Sequence, residues 1–336
     1  MIPAMLDCGK IETPMSRTLL LLALLATMLV STGCRRSGQR VIGVVPKGAS
    51  HIFWQTVHAG AIKAAGEMGF QVDWNAPPLE IDSSRQIEIV DSMINRHVDG
   101  IVLAPVDKQA LVAVVERAAA KGIPVAIFDS AIDTEKYISY IATDNTEAGR
   151  MAARRMGEIL GGKGKVGIVG FMAGSASTME REFGFQDEIR KRYPGIDLLP
   201  LQFGMANRAK AMAVTENMLS AHDDLAGIFA DNESSSAGAV QALKSRGAKR
   251  VKLVAFDASD PLIAELRDGV IDSIVVQNPF RMGYESTRAI GLKLSGQTPE
   301  QKVDSGAALI RREDLDREET SQLLFPDIQK YLKPAH

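Results

Sequence analysis

The chain is poor in cysteine, in aromatic side chains and in net charge, and each shortage excludes something. Only Cys8 and Cys34 are cysteines among 336 residues, so stability must come from a hydrophobic core rather than a disulfide framework. Aromatic residues make up 5 % and the formal net charge is −2 with both signs interspersed, so nothing in the composition argues for nucleic acid as a partner. The leucine-rich run Leu19 to Val30 falls short of the roughly 20 apolar residues that span a bilayer. The histidines, at 51, 58, 97, 222 and 336, have no metal-ligand spacing, and His58 is expected to face outward on a helix. Ser175 and Ser177 lack the G-x-S-x-G setting of a hydrolase nucleophile. Gly162 to Gly167 fits G-x-G-x-x-G literally, but it follows a helix and leads into a strand, the reverse of a dinucleotide fingerprint. The expectation is a chain that is not an enzyme and that holds no cofactor and no metal.

What is present begins with an export signal. Leu19 to Val30 suits the apolar region of a signal peptide, and Arg17 supplies the positive charge ahead of it if translation starts at Met15. Ser31-Thr32-Gly33-Cys34 resembles the lipobox of bacterial lipoproteins, in which the cysteine is lipidated after cleavage. The alternative is an ordinary signal peptide with an incidental cysteine. Residues 1–34 therefore read as an upstream extension plus lipoprotein signal peptide, and 35–40 as a polar linker. The chain is expected outside the cytoplasm, on the periplasmic or cell-surface side, held to the membrane through Cys34.

From Val41 onward, short apolar strands alternate with helical patterns. Val41–Val45, Gln71–Trp74, Ile101–Ala104 and Val125–Phe128 form one series, with helical spacing at Ile87, Val90, Ile94 and Val98 and at Leu111, Val114, Val115 and Ala118. A second series runs through Val166–Val169, Leu198–Phe203, Gly227–Ala230, Lys252–Phe256 and Ile274–Gln277. Continuous apolar strands between amphipathic helices predict parallel sheets covered on both faces, here two doubly wound α/β lobes. In such sheets ligands bind beyond the carboxyl ends of the strands. The loops at 46–53, 104–108, 128–133, 170–181, 231–235, 257–260 and 277–280 are therefore the ones that matter.

Several of these loops share a chemistry. Ser50-His51-Ile52-Phe53-Trp54, Asp129-Ser130, Asp231-Asn232-Glu233, Phe256-Asp257 and Gln277-Asn278 combine flat rings with amides and carboxylates. Planar polar groups bond adjacent hydroxyls, and an aromatic face covers the C–H side of a sugar ring, so the set suits a neutral polyhydroxyl ligand. Each Asp, Asn or Ser taken singly reads equally well as a helix cap or turn residue.

With Phe53-Trp54, Ala118 to Val125, Ile141 to Asn145, Glu180 to Phe185, Phe229 to Glu233, Val254 to Asp257 and Val276-Gln277 in view, the chain from about Val41 to Ile310 resembles the type I periplasmic sugar-binding proteins of the ribose and galactose kind. The resemblance implies the periplasmic-binding-protein type I fold, two lobes joined by a three-segment hinge. The N-terminal lobe would comprise 41–143 and 278–304, and the C-terminal lobe 144–277 and 305–336. It implies that Phe53 and Trp54 face a sugar ring, that Asp129 accepts ligand hydroxyls, and that Arg181 donates from the second lobe. Asn232, Asp257 and Gln277 would make further polar contacts, with Ser50, His51, Asn145 and Phe256 as additional candidates. Lys47 reads either as a contact at the pocket mouth or as a solvated loop lysine.

The implied partners are a small sugar ligand and the transmembrane permease subunits of an ABC importer, with the protein a monomer on its lipid anchor. A sensory protein presenting a sugar or autoinducer-like ligand to a receptor kinase or chemoreceptor is the alternative. The effector-binding half of a lac-repressor-like regulator shares the fold, but such regulators start with a helix-turn-helix where this chain has a signal segment. Ribose binders carry arginine after the first-lobe aspartate and asparagine before the proline of the third strand loop; this chain has Ser130 and Ala104 there. Ala206 likewise stands where an aromatic is expected. These departures point away from ribose itself.

Overall fold

The computed structural model describes residues 39–332; the signal segment, Cys8, Cys34 and His336 lie outside the described residues. The first series contains β1 (Val41–Val45), α1 (Ile52–Met68), β2 (Gln71–Trp74), α2 (Ser83–Asn95), β3 (Gly100–Leu103), α3 (Val112–Ala120), β4 (Val125–Phe128) and β5 (Ser139–Ala142). The second begins with α4 (Asn145–Ile159), β6 (Lys163–Gly170), α5 (Ala176–Arg192), β7 (Gly195–Leu198) and β8 (Gln202–Phe203). It continues through α6 (Arg208–Ala221), β9 (Leu225–Ala230), α7 (Glu233–Ser245), β10 (Lys252–Phe256), α8 (Asp260–Asp268) and β11 (Ser273–Gln277). The chain then runs through α9 (Pro279–Leu294), β12 (Lys302–Asp304), β13 (Ala307–Arg311), α10 (Glu318–Leu324) and α11 (Gln329–Leu332).

Two sheets result. The first has the order β12-β5-β4-β3-β1-β2, with every pair parallel. The second has the order β13-β11-β10-β9-β6-β7, with β8 also on β6 and only β13 antiparallel to its neighbour among the pairs described. Each sheet is covered on both faces by apolar clusters, which is why β3 and β4 are buried throughout and show no alternation. The strand order reverses at β1 and at β6, and the crevices beyond their carboxyl ends open at those points.

The chain passes from the first sheet to the second after β5, returns after β11 and passes over again after β12. Polar caps sit at the first two passages: the Asp144 carboxylate accepts from Glu147 N and the Asn278 amide oxygen from Arg281 N, starting α4 and α9. The first and third passages lie side by side, with Thr143 Oγ1 and Ser305 Oγ 3.3 Å apart and Asp144 N donating to Asp304 Oδ1 at 3.2 Å. Within each lobe one helix pair packs backbone to backbone. A Cβ on Gly60 or Gly283 would strike the carbonyls of Phe280 or Val57 between α1 and α9, and one on Gly149 or Gly184 those of Arg181 or Thr146 between α4 and α5.

Several local expectations need correction. The run Leu198–Phe203 is two strands, because Pro200 has no N–H for the ladder and residues 199–201 leave it. The strand expected to begin at Val166 begins at Lys163, so the turn is confined to Gly161 and Gly162, both at positive φ. His58 does not face outward to solvent: its ring stacks on Trp74 at 4.2 Å, and burial pushes its pKa down to about 4. The strands β5, β12 and β13 and the two terminal helices carry too short a pattern to be seen in the sequence.

Candidate functional site

The wall contributed by the first lobe is built on packing. Phe53 and Trp54 open α1, where the chain turns out of β1. The Trp54 ring meets Phe53 edge-on at 4.8 Å and Phe128 at 6.3 Å, so it belongs to the same apolar cluster as the sheet beneath it. Its Nε1 donates to Glu80 Oε1 at 2.8 Å, which satisfies the one polar atom of a buried ring.

Asp129 and Asp257 present their carboxylates by the same backbone device in the two lobes. Each follows a buried phenylalanine at the end of a strand, Phe128 on β4 and Phe256 on β10, and each sits at positive φ, 61° and 65°. Aspartate tolerates this left-handed conformation better than most residues. Each peptide N–H still pairs with the neighbouring strand, Asp129 with Ile141 O at 3.0 Å and Asp257 with Val275 O at 2.9 Å. The chain is thereby turned out of the ladder with the carboxylate at the strand end.

Lys47 is buried, so the solvated reading of it fails. Its Nζ lies 2.8 Å from Asp129 Oδ2 and donates to Ser130 Oγ at 2.8 Å, Ser177 Oγ at 3.1 Å and Ser175 Oγ at 3.3 Å. Ser175 and Ser177 belong to the second lobe, and Ser177 N donates to Ser130 Oγ at 3.0 Å. One ammonium thus joins the lobes. Lys47 brings a cation into hydrogen-bond reach of Ser130 and Asp129. At the rim, Lys108 N donates to Gly174 O at 3.0 Å, and Gly174, at φ +93°, lies where a Cβ would collide with Asp107.

The second lobe's wall is centred on Arg181, 2 % exposed on α5. Asn145 Oδ1 accepts from its Nε at 2.8 Å, Asp231 O accepts from Nη1 at 3.0 Å, and the guanidinium carbon lies 3.9 Å over the Phe256 ring. Beneath it lie Glu182 and Asp231. Burial, with the Asp231 charge beside it, pushes Glu182 up to about 10, and burial pushes Asp231 up to about 7. Glu182 Oε1 and Asp231 Oδ1 are buried without a hydrogen-bond partner among the described residues. Asp257 Oδ1 accepts from Gln277 Nε2 at 2.7 Å, and burial raises the Asp257 pKa.

His51 stands at the mouth between carboxylates from both lobes, with Nδ1 3.4 Å from Glu233 Oε2 and Nε2 3.9 Å from Glu80 Oε1. Phe53, Trp54, Asp129, Arg181, Asn232, Asp257, Gln277 and His51 all line one small cavity between the lobes. Three further candidates do not line it. Ser50 is exposed on the loop, while Asn145 and Phe256 are buried behind Arg181 and hold it in place. Asn232 lines the cavity but also caps α7: its Oδ1 accepts from Ser235 N and its Nδ2 donates to Ser234 Oγ.

Sequence reasoning passed over Glu80, Phe171, Ser177, Thr178 and Glu233 as site residues, and left Lys47 undecided. All but Glu80 lie in loops that the strand-end rule marks. Glu80 comes from the segment after β2, which that rule as applied left out. The marked loop 104–108 contributes nothing to the lining.

Comparison with known proteins agrees with this geometry. Residues 42–298 match the family model described as periplasmic binding protein domain. The chain is 28 % identical over 264 residues to the ribose import binding protein of Bacillus subtilis, covering 79 % of this chain and 85 % of that one. It is 30 % identical over 272 residues to the D-ribose/D-allose-binding protein of Pseudomonas aeruginosa, covering 78 % and 85 %. The solved ABC transporter solute-binding protein of Agrobacterium vitis with bound D-fucose superposes with a TM-score of 0.82 at 31 % identity, covering 85 % of this chain and all of that one. With two doubly wound lobes, a cleft lined from both, and a family match over most of its length, the chain belongs to the periplasmic binding protein family in its type I form.

Proposed function

We propose that this chain is the extracytoplasmic solute-binding protein of an ABC importer, taking a monosaccharide or related polyhydroxyl ligand between its lobes. The observation that carries the reading is the convergence of Phe53, Trp54 and Asp129 from one lobe with Arg181, Asp257 and Gln277 from the other on one small cavity. The relatives' ribose and allose ligands and the D-fucose of the solved neighbour support the same ligand class.

Ligand enters the cleft with the lobes apart and meets the aromatic wall first. Contacts to Arg181 and Asp257 form only when the second lobe swings in, so the ligand favours the closed state by differential affinity. The passages at 143–144, 278 and 305–306 act as the hinge. Closure also assembles the Lys47–Ser130–Ser177 bridge, in which Lys47 and Ser130 each bond Ser177 across the lobes. The closed form then docks on the permease as a monomer, tethered through a lipid on Cys34.

A thermal-shift screen of sugars and polyols tests the ligand class. A true ligand at about 100 times its dissociation constant raises stability by roughly 2.7 kcal/mol. A screen in which no polyhydroxyl compound moves the melt removes the assignment. For the anchor, Cys34→Ser releases the protein from membranes, and continued membrane association after that change rules out lipidation at Cys34.

A further inference from the structure

The three hinge passages leave the chain on the second lobe, yet it does not stay there. After β13, α10 lies on that lobe: Leu323 and Leu324 pack against the apolar cluster of the second sheet, and Thr320 is buried. A few residues later the chain is back on the first lobe. Ile328 is 6 % exposed, α11 packs on α1, and the Tyr331 ring tilts against Phe280 of α9 at 5.6 Å. Residues 325–328 therefore make a fourth crossing between the lobes, fixed at its far end by side-chain contacts alone.

This crossing runs beside the ligand cavity. A second cavity lies under it, lined by Ile52, Phe53 and Thr56 from the first lobe, Asp257 and Gln277 from the second, and Ile328 from the crossing itself. Phe53, Asp257 and Gln277 line the ligand cavity as well. The crossing is short and turned. Phe325 N donates to Ser321 O at 2.9 Å, Pro326 fixes one backbone angle, and Ile328 N donates to Pro326 O at 2.8 Å. Rotation of one lobe away from the other has to straighten that turn or lift α11 off α1, and either loses contacts that the closed arrangement makes.

We propose that residues 325–332 are a strap that holds the lobes towards their closed arrangement and thereby raises affinity for the ligand. The proposal rests on the hinge-closing reading of the cleft and not on which ligand is bound. A contact made only in the closed arrangement enlarges the fraction of ligand-free molecules already competent to bind, and apparent affinity rises by the same factor. For a contact set of this size the factor is about three- to tenfold.

The test compares the full chain with one ending at Leu324 and with Ile328→Asp and Tyr331→Ala. Each is measured by small-angle scattering without ligand and by calorimetric titration with D-ribose, D-allose and D-fucose. The shortened chain and Ile328→Asp should show a larger radius of gyration without ligand, and should bind any sugar that the full chain binds about three- to tenfold more weakly. Tyr331→Ala, which trims a half-buried ring and disturbs the fold least, should shift both readouts in the same direction by less. Melting of the ligand-free proteins separates a strap from a merely structural tail. Variants that melt earlier yet keep the scattering of the full chain overturn the proposal, as does unchanged affinity beside a more open profile. Scattering needs no ligand, so failure of all three sugars to bind counts against the sugar reading and leaves the strap to be decided by scattering. Scattering of the full chain unmoved by a sugar that does bind overturns hinge closure and the strap together.

Discussion

The two walls of the cleft perform one task with different physics. On the first lobe, Trp54 and Phe53 are fixed by contact with Phe128 and the apolar cluster around it, so the wall is an extension of the core. On the second lobe, Arg181 is fixed by an amide, a backbone carbonyl and an aromatic face beside two buried carboxyl groups whose pKa values burial raises. Packing is tolerant of small changes in shape, whereas a buried charge needs its partners in place. The first wall should therefore respond to lost volume, and the second to lost hydrogen bonds and to pH.

The sharpest way to break the symmetry is a conservative change on each side. Arg181→Lys loses the planar fork and should cost sugar affinity about a hundredfold or more, read as loss of the ligand-induced melting shift. Trp54→Phe keeps a ring and should cost about tenfold or less; an effect larger than that of Arg181→Lys would reverse the comparison. Trp54→Ala, by contrast, removes core volume and should lower stability by about 3–5 kcal/mol in a melt without ligand.

Next in size is the bridge between the walls. Lys47→Met removes the ammonium that joins Asp129 and Ser130 to Ser175 and Ser177. Affinity should fall by about tenfold to a hundredfold, and small-angle scattering should show a more open ligand-bound form. An unchanged closed form would leave Ser130 and Ser177 sufficient to join the lobes.

The remaining contrasts are pH slopes. Glu182 holds its proton up to about pH 10 in the folded chain but only to its ordinary carboxylate pKa when unfolded. The folded state binds the extra proton, so this contribution is present at low pH and is lost as pH rises from the carboxylate range towards 10. Glu182→Gln should flatten that alkaline decline and stabilise the protein most at high pH, as followed by melting temperature against pH. His58 acts in the opposite direction: its lowered pKa makes stability fall as pH drops from 6.5 through about 4, and His58→Phe should flatten that limb. Because His58 is only partly buried on Trp74, its slope should be the shallower of the two.

Much of the molecule was readable from its sequence because the signals are local. Apolar runs such as Val125–Phe128 and the helical spacing through Ile87 and Ile94 predict a strand and a helix, and alternation of such elements predicts the two sheets. The strand-end rule then picked out the loops that carry most of the cavity's lining, including Asp129, Arg181 and Asp257. The pattern is weaker where elements are brief or interrupted, as at β12 and around Pro200.

What the sequence determined by itself is the α/β framework and the chemical character of the strand-end loops, since periodicity and residue type act over a few positions. Tertiary structure alone decided which of those groups meet. Lys47 bonds residues 83 to 130 positions away, so nothing near it in the chain distinguishes a solvated lysine from the ammonium that joins two lobes. The same holds for Asn145 and Phe256, which support Arg181 from behind, and for Gln277 Oε1 and Glu233 Oε2, whose lack of a donor depends on everything that surrounds them. Burial and partnership are sums over the whole fold, and the choice of ligand lies with them.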